Sequence, residues 1–241
     1  MEECIRFDNV SVRYEGHAAL DHFSLSVRTG EFLTIIGRSG CGKTTALRLI
    51  NGLKTPDEGT VLVRGEDVSR TDLIRLRRRT GYAIQEVGLF PHMNVRDNIA
   101  YVPSLSKLWT RSETEVNVAE LLKTVGLSPD IALRYPGELS GGQRQRVGIA
   151  RALAAKPDIL LMDEPFGSVD EITRRSLQTE IRRLHDVLRL TIVFVTHDIN
   201  EAMLLGDRML VMDAGRAVQI GEPSYVRSHP ADAFVRELLP S

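Results

Sequence analysis

The residues Gly37-Arg38-Ser39-Gly40-Cys41-Gly42-Lys43-Thr44 satisfy the spacing G-x-x-x-x-G-K-[ST]. Glycines at those positions let successive backbone N–H groups converge on phosphate oxygens, and the helix that follows adds the positive end of its dipole. In such a loop the Lys43 ammonium reaches the β- and γ-phosphates of a nucleotide, and the Thr44 hydroxyl binds Mg²⁺. Ser39, Gly40, Gly42 and Thr45 join Gly37 in the cradle by alignment with the loop. The chemistry needs a strand before the loop and a helix after it. The apolar run Phe32 to Ile36 and the periodic stretch Thr44 to Ile50 supply both. Cys41 lies inside the loop ahead of a helix start, which predicts a depressed thiol pKa and a reactive thiolate wherever solvent reaches it.

A second constellation is Ile159-Leu160-Leu161-Met162-Asp163-Glu164, an apolar strand ending in two carboxylates. Many buried strands end in an acid, so alone it means little. Downstream of a phosphate loop, Asp163 becomes a ligand to Mg²⁺, directly or through water, and Glu164 is placed to polarise the attacking water. Positioning and charge stabilisation are most of what phosphoryl transfer asks of a protein. A third device is Leu139-Ser140-Gly141-Gly142-Gln143, two glycines and a small hydroxyl opening another helix. One nucleotide has no evident need of two such devices from one chain.

The elements that must hold these groups are legible in outline. Ile5, Phe7, Val10 and Val12, then Phe23, Leu25 and Val27, alternate as half-buried strands. Thr60 to Val63 and Tyr82 to Ile84 read as further strands, and from about Met93 to Ala155 the pattern turns helical. Strand and helix then alternate: Ile159 to Met162, Ile172 to Leu188, Ile192 to Val195, Asn200 to Leu205, Met209 to Met212. That rhythm argues a mostly parallel sheet, an α/β core interrupted by a helical insert. The 241 residues suffice for one such domain, and 31 basic against 32 acidic residues disfavour a nucleic-acid binder. Cys4 and Cys41 offer neither a disulfide framework nor metal spacing. The start M-E-E-C-I-R-F-D lacks the pattern of a signal peptide, and no run approaches the ~18 apolar residues of a membrane span.

Leu139 to Gln143, with the flank R-Q-R-V-G-I-A-R-A-L, resembles the signature motif of ABC ATPases, which in that family binds the γ-phosphate held by the opposing subunit. The resemblance covers Ile5 to about Gly221 and implies the rest. Gln85 matches the glutamine that senses Mg²⁺ and the attacking water. Asp170 matches the aspartate of the D-loop, and His197 the switch histidine at the γ-phosphate. Tyr14 resembles the aromatic residue that stacks on adenine. The implied fold is a P-loop NTPase core with an N-terminal antiparallel β subdomain and an inserted helical subdomain. Its expected bounds are about 1–92 with 156–241 for the core and 93–155 for the insert. Gly167-Ser168-Val169-Asp170 departs from the commoner Ser-Ala-Leu-Asp but keeps the aspartate.

Within the family, Gly88-Leu89-Phe90-Pro91-His92-Met93-Asn94-Val95, D-E-P-F-G and D-E-I-T-R-R are similar to ATPases of osmoprotectant importers for glycine betaine, carnitine or choline. That likeness implies ATP and Mg²⁺, a homodimer, integral membrane permease subunits and an extracytoplasmic solute-binding protein. It also implies a place on the cytoplasmic face of the membrane. Amino-acid or sulfonate importers stay open. Many relatives carry regulatory repeats after the ATPase domain; with Ser241 last, that form of ionic-strength sensing is not expected. A non-transport ABC ATPase acting on ribosomes, DNA or Fe–S assembly is the alternative. It would commonly show two fused ATPase halves or a long coiled coil, and the sequence shows neither. Leu89, Phe90 and Met93, in a Gly/Pro-broken loop within Glu86 to Tyr101, are expected to stand at the surface and receive a helix of the membrane partner.

Overall fold

The computed structural model describes residues 2–84 and 88–240. The chain opens with β1 (Glu3–Tyr14) and β2 (His17–Arg28), then β3 (Phe32–Gly37) and α1 (Lys43–Ile50). Next come β4 (Glu58–Val63), the short β5 (Glu66–Asp67), α2 (Leu73–Arg78) and β6 (Thr80–Ala83). The helices α3 (Val95–Leu105), α4 (Arg111–Thr124) and α5 (Gly141–Leu153) precede β7 (Ile159–Asp163) and α6 (Glu171–Leu188). The chain continues through β8 (Thr191–Val195), α7 (Ile199–Leu205), β9 (Arg208–Asp213) and β10 (Arg216–Gly221) to α8 (Pro223–Ser228) and α9 (Ala233–Leu238). These elements form two compact units, Met1–Arg77 with Arg189–Ser241, and Arg78–Leu188.

The first unit holds an antiparallel sheet in the order β2-β1-β4-β5. Ile5, Phe7, Val10 and Val12 of β1 are buried, and opposite them lie Phe23, Leu25 and Val27 of β2. Phe7 and Phe23 meet edge to face at 5.3 Å. The pairing slips between Phe7 and Val10, where Asn9 takes φ 49°; an extra residue there bends the strand. The same unit carries the strands β10, β9, β3 and β8 side by side, parallel except for the β9–β10 hairpin. Phe32, Leu33, Thr34, Ile35 and Ile36 are all buried, as is every residue of β8. A strand covered on both faces reads as an unbroken apolar run, which is why β3 and β8 are plain in the sequence.

The second unit pairs β6 with β7 in parallel and packs α3, α4 and α5 with them. All five residues of β7 are buried. Asn94 caps α3 by accepting the Asp97 N–H at 2.8 Å, and Thr110 with Glu113 forms a reciprocal cap on α4. Each satisfies amide groups that a helix start leaves without intrahelical partners.

Candidate functional site

The loop between β3 and α1 has the backbone its glycines were expected to allow. Gly42 sits at φ 104°, and a Cβ there would lie 2.3 Å from the Ala19 carbonyl oxygen. At Gly37, φ is 152° and a Cβ would lie 2.2 Å from the Met212 oxygen. Only glycine fits either place without moving backbone. Gly42 precedes α1 and, having no side chain, does not cap the helix. Lys43 is buried, and its Nζ donates to the carbonyls of Gly37 at 2.8 Å and Arg38 at 3.0 Å. The ammonium is thereby held inside the turn. Thr45 is buried with it, Thr44 is half-buried, and Ser39 and Gly40 are exposed.

Cys41 departs from the expectation. It is 4% exposed, and burial pushes its thiol pKa up even though Lys43 Nζ, 3.9 Å away, pulls the other way. Desolvation of a thiolate here outweighs the nearby positive charge and the helix start, and the expected reactive thiolate is corrected to a protonated, enclosed thiol.

His197 follows β8, and Ile35 of β3 pairs with Val195 of β8 in parallel register. The phosphate loop and His197 therefore leave the same carboxyl edge of these strands, where α/β sheets place ligands. The turn under His197 is pinned. Thr196 Oγ1 donates to the buried Glu201 carboxylate at 2.6 Å and accepts the Asp198 N–H at 3.0 Å. Asp198 caps α7 by accepting the amides of Asn200 and Glu201. His197 itself is exposed. Tyr14, at the end of β1, is 41% exposed, with the Lys54 ammonium 5.1 Å from its ring centroid. An open aromatic face of this kind suits stacking on a planar ring.

In the second unit Asp163 ends β7 and is buried, and Glu164 follows it at φ 47°. A non-glycine residue in the left-handed region costs about 1–3 kcal/mol and persists only where its surroundings hold it. The Glu164 carbonyl accepts from Gln145 Nε2 at 3.2 Å and from the Gly167 N–H at 3.3 Å. Ser140 and Gln143 cap α5 reciprocally: Ser140 Oγ accepts the Gln143 N–H at 3.2 Å, and Gln143 Oε1 accepts the Ser140 N–H at 2.9 Å. Gly141 and Gly142 form the first turn, and a Cβ on Gly142 would come within 3.0 Å of the Ser168 carbonyl. The exposed Asp170 accepts the Thr173 N–H at 3.0 Å, which caps α6 and holds its carboxyl below the usual range. Gln145, buried at 4%, escaped the sequence reading. Its signal is a polar residue at i on a helix whose i+4 and i+7 neighbours, Ile149 and Ala152, are core.

Gln85, with Glu86 and Val87, lies outside the described residues. The loop after them differs from expectation. Leu89 is 8% exposed and belongs to the core of its own unit. Phe90 is half-buried, 4.7 Å from the Tyr101 ring and 5.8 Å from the Arg151 guanidinium. The buried Asn98 organises the turn: its Oδ1 accepts the Phe90 N–H at 2.8 Å, and its Nδ2 donates to the carbonyls of Phe90, Met93 and Asn94. Leu89 is thus packed rather than left wet and is withdrawn from the expected surface row, while Phe90 and Met93 stay half-exposed.

Among the described residues no group of three or more His, Cys, Asp or Glu could hold a metal ion. Mg²⁺ needs no such cage, since it keeps waters and takes one or two protein oxygens with substrate phosphates. The Thr44 hydroxyl and the Asp163 carboxylate are hard oxygen donors of that kind. No helix among the described residues is long and apolar enough to cross a membrane.

Residues 20–167 match the family model described as ABC transporter. The chain is 48% identical over 236 residues to the choline transport ATP-binding protein OpuBA of Bacillus subtilis (strain 168), covering 98% of this chain and 62% of that protein. It is 47% identical over 235 residues to the glycine betaine uptake system ATP-binding protein YehX of Escherichia coli (strain K12), covering 98% of this chain and 76% of that protein. Among solved structures it is similar to the dimeric ATP-binding cassette MJ0796 in a post-hydrolysis state bound to ADP and Pi. That likeness has a TM-score of 0.86 and 32% identity, covering 91% of this chain and 98% of the other.

Proposed function

This chain belongs to the ABC transporter family, with the α/β fold of its ATP-binding cassettes, and we propose that within it the chain is the ATP-hydrolysing subunit of an importer. The observation that carries the reading is the glycine-cradled loop that buries Lys43 ahead of an α1 start without a side-chain cap. The chain spans about three fifths of the length of the choline transport relative, so transport and its solute are part of the proposal.

In this reading the adenine stacks on Tyr14, and the loop Gly37 to Thr45 holds the phosphates through backbone amides and the Lys43 ammonium. Thr44, Asp163 and Gln85 would hold Mg²⁺, which when bound would neutralise phosphate charge. Glu164 accepts a hydrogen bond from the attacking water and lines it up, and His197 donates to the γ-phosphate. Ser140, Gly141, Gly142 and Gln143 serve the nucleotide of a second copy, in a head-to-tail homodimer. Asp170 belongs to the same face. The partners are integral membrane permease subunits, fed by an extracytoplasmic solute-binding protein, and the chain itself works at the cytoplasmic face of that membrane. The solute class is a quaternary amine, by likeness to the choline and glycine betaine relatives.

Glu164→Gln tests the chemistry. It removes the charge and keeps the size, so turnover should fall by about 10²–10⁴, while ATP still binds in Mg²⁺ and the variant gathers as a dimer on size exclusion. Near-normal turnover removes Glu164 from the role. Radiolabelled choline and glycine betaine uptake, with the chain co-expressed beside its membrane subunits, tests the solute class.

A further inference from the structure

We infer that Gln145 is the positioning residue that ties the phosphate-facing start of α5 to the backbone of Glu164. Through it, engagement of phosphate at Ser140 to Gly142 is transmitted to the catalytic carboxylate of the same chain. The inference rests on the reading of this chain as an ATPase working in a head-to-tail pair, where α5 addresses the partner's nucleotide and Glu164 its own.

Gln145 is 4% exposed and makes two hydrogen bonds, both to backbone and both across to the segment after β7. Its Nε2 donates to the Glu164 carbonyl at 3.2 Å, and its Oε1 accepts the Ser168 N–H at 2.9 Å. A carbonyl only accepts and an amide N–H only donates, so these partners fix the side-chain amide in one orientation. Buried polar groups satisfied at both ends hold their surroundings to one geometry, and removing one partner leaves the other unpaired. The first turn of α5 also touches this segment directly, with Gly142 close against the Ser168 carbonyl.

The strained point is Glu164, at φ 47°. Nothing intrinsic favours that conformation in an acidic residue, and relaxation to negative φ would swing the carboxylate away from its direction off β7. Gln145 grips the carbonyl of that residue. A shift of the α5 start of a few tenths of an ångström, driven by a phosphate at Gly141 and Gly142, therefore reaches the Glu164 backbone through one side chain. Contacts of this kind carry coupling between sites when both bias the same element.

The test uses the full chain and two variants. Gln145→Met keeps length and burial and removes both hydrogen bonds. Gln145→Glu keeps an acceptor for the Ser168 N–H and, when ionised, replaces donation to Glu164 with a buried charge facing its carbonyl. Steady-state ATP hydrolysis against ATP concentration, equilibrium ATP binding in Mg²⁺ and thermal unfolding are measured for each. Both variants should lose about tenfold or more in kcat while the ATP Kd stays within about twofold. The reading expects a Hill coefficient for ATP above one in the wild type, and it should fall to one in both variants. Turnover within about threefold of wild type in either variant overturns the proposal. So does a loss matched by weaker ATP binding, which marks simple packing, and so does an unchanged Hill coefficient. If Gln145→Glu fails to fold, Gln145→Met alone decides. A wild-type chain that binds but does not hydrolyse ATP overturns the ATPase reading itself, and the wild-type arm separates that failure from failure of the Gln145 link.

Discussion

The starts of α1 and α5 are both glycine-bearing helix N-termini, and they are finished in opposite ways. Ahead of α1, Gly42 sits at φ 104° with no side chain to cap the helix. Ahead of α5, Ser140 and Gln143 cap each other reciprocally. A helix start without a side-chain cap, wrapped round a buried lysine, offers amides and a charge to an anion on its own account. A capped start has spent two of its polar groups internally and presents the amides of Gly141 and Gly142 as a weaker, shape-dependent site. The comparison says which device should dominate nucleotide affinity and which should act only on phosphates delivered to it.

Swapping one glycine at each start breaks the comparison most sharply. Gly42→Ala combines positive φ with a Cβ 2.3 Å from the Ala19 carbonyl, and should cost at least about 2–3 kcal/mol of stability along with ATP binding. Gly142 has no positive φ, and its Cβ would stand 3.0 Å from the Ser168 oxygen. Alanine there gains about 1 kcal/mol of helix propensity, which offsets the crowding and leaves the net change within about 1 kcal/mol. Parallel thermal melts check this, and equal losses at the two sites would refute the asymmetry.

Lys43→Ala comes next in size. Charge-assisted bonds to phosphate are worth about 1.5–3 kcal/mol, so ATP affinity should fall roughly tenfold to a hundredfold in equilibrium binding, with the fold intact. Retained affinity would mean that the amides alone carry the phosphates.

Ser140 separates capping from ligand contact. Ser140→Ala should cost about 1 kcal/mol through the lost cap, seen as a melting temperature lower by roughly 2–4 °C. Ser140→Asp restores the cap while setting a carboxylate against the partner's phosphates, so stability should return and hydrolysis should not. Recovery of both would make Ser140 a cap and nothing more.

The same contrast explains what was legible beforehand. The phosphate loop and strands β3, β7 and β8 announce themselves because each is specified locally, by glycine spacing or by an unbroken apolar run. Strand β10 was not anticipated: its residues are half-exposed or exposed, and antiparallel pairing with β9 rather than burial defines it. Gln145 was missed, and Leu89 was expected at the surface, for a related reason. Gln145 lies between two arginines, and Leu89 in a Gly/Pro-broken loop. Only the packing of α5 against the segment after β7, and of the loop around Asn98, shows that both are interior.

Cys41 is the smallest expected effect and sharpens the account of the bare start. Proximity to a helix N-terminus and to Lys43 favours a thiolate, whereas enclosure disfavours it; burial wins, and the thiol pKa lies above its ordinary value. Both the thiolate fraction and access are therefore low near neutral pH, and labelling by a maleimide needs both. Cys4, at 7% exposed, is sheltered as well. Native chain should react much more slowly than chain unfolded in guanidinium, with neither thiol modified on the timescale that titrates a free cysteine. Cys41→Ser, nearly isosteric, should leave ATP turnover within about twofold, since the thiol itself serves no phosphate. Fast labelling at Cys41 that ATP slows would carry a different meaning. It would show the loop opening in solution far enough to expose the sulfur, and the electrostatics of the helix start would then govern its reactivity after all.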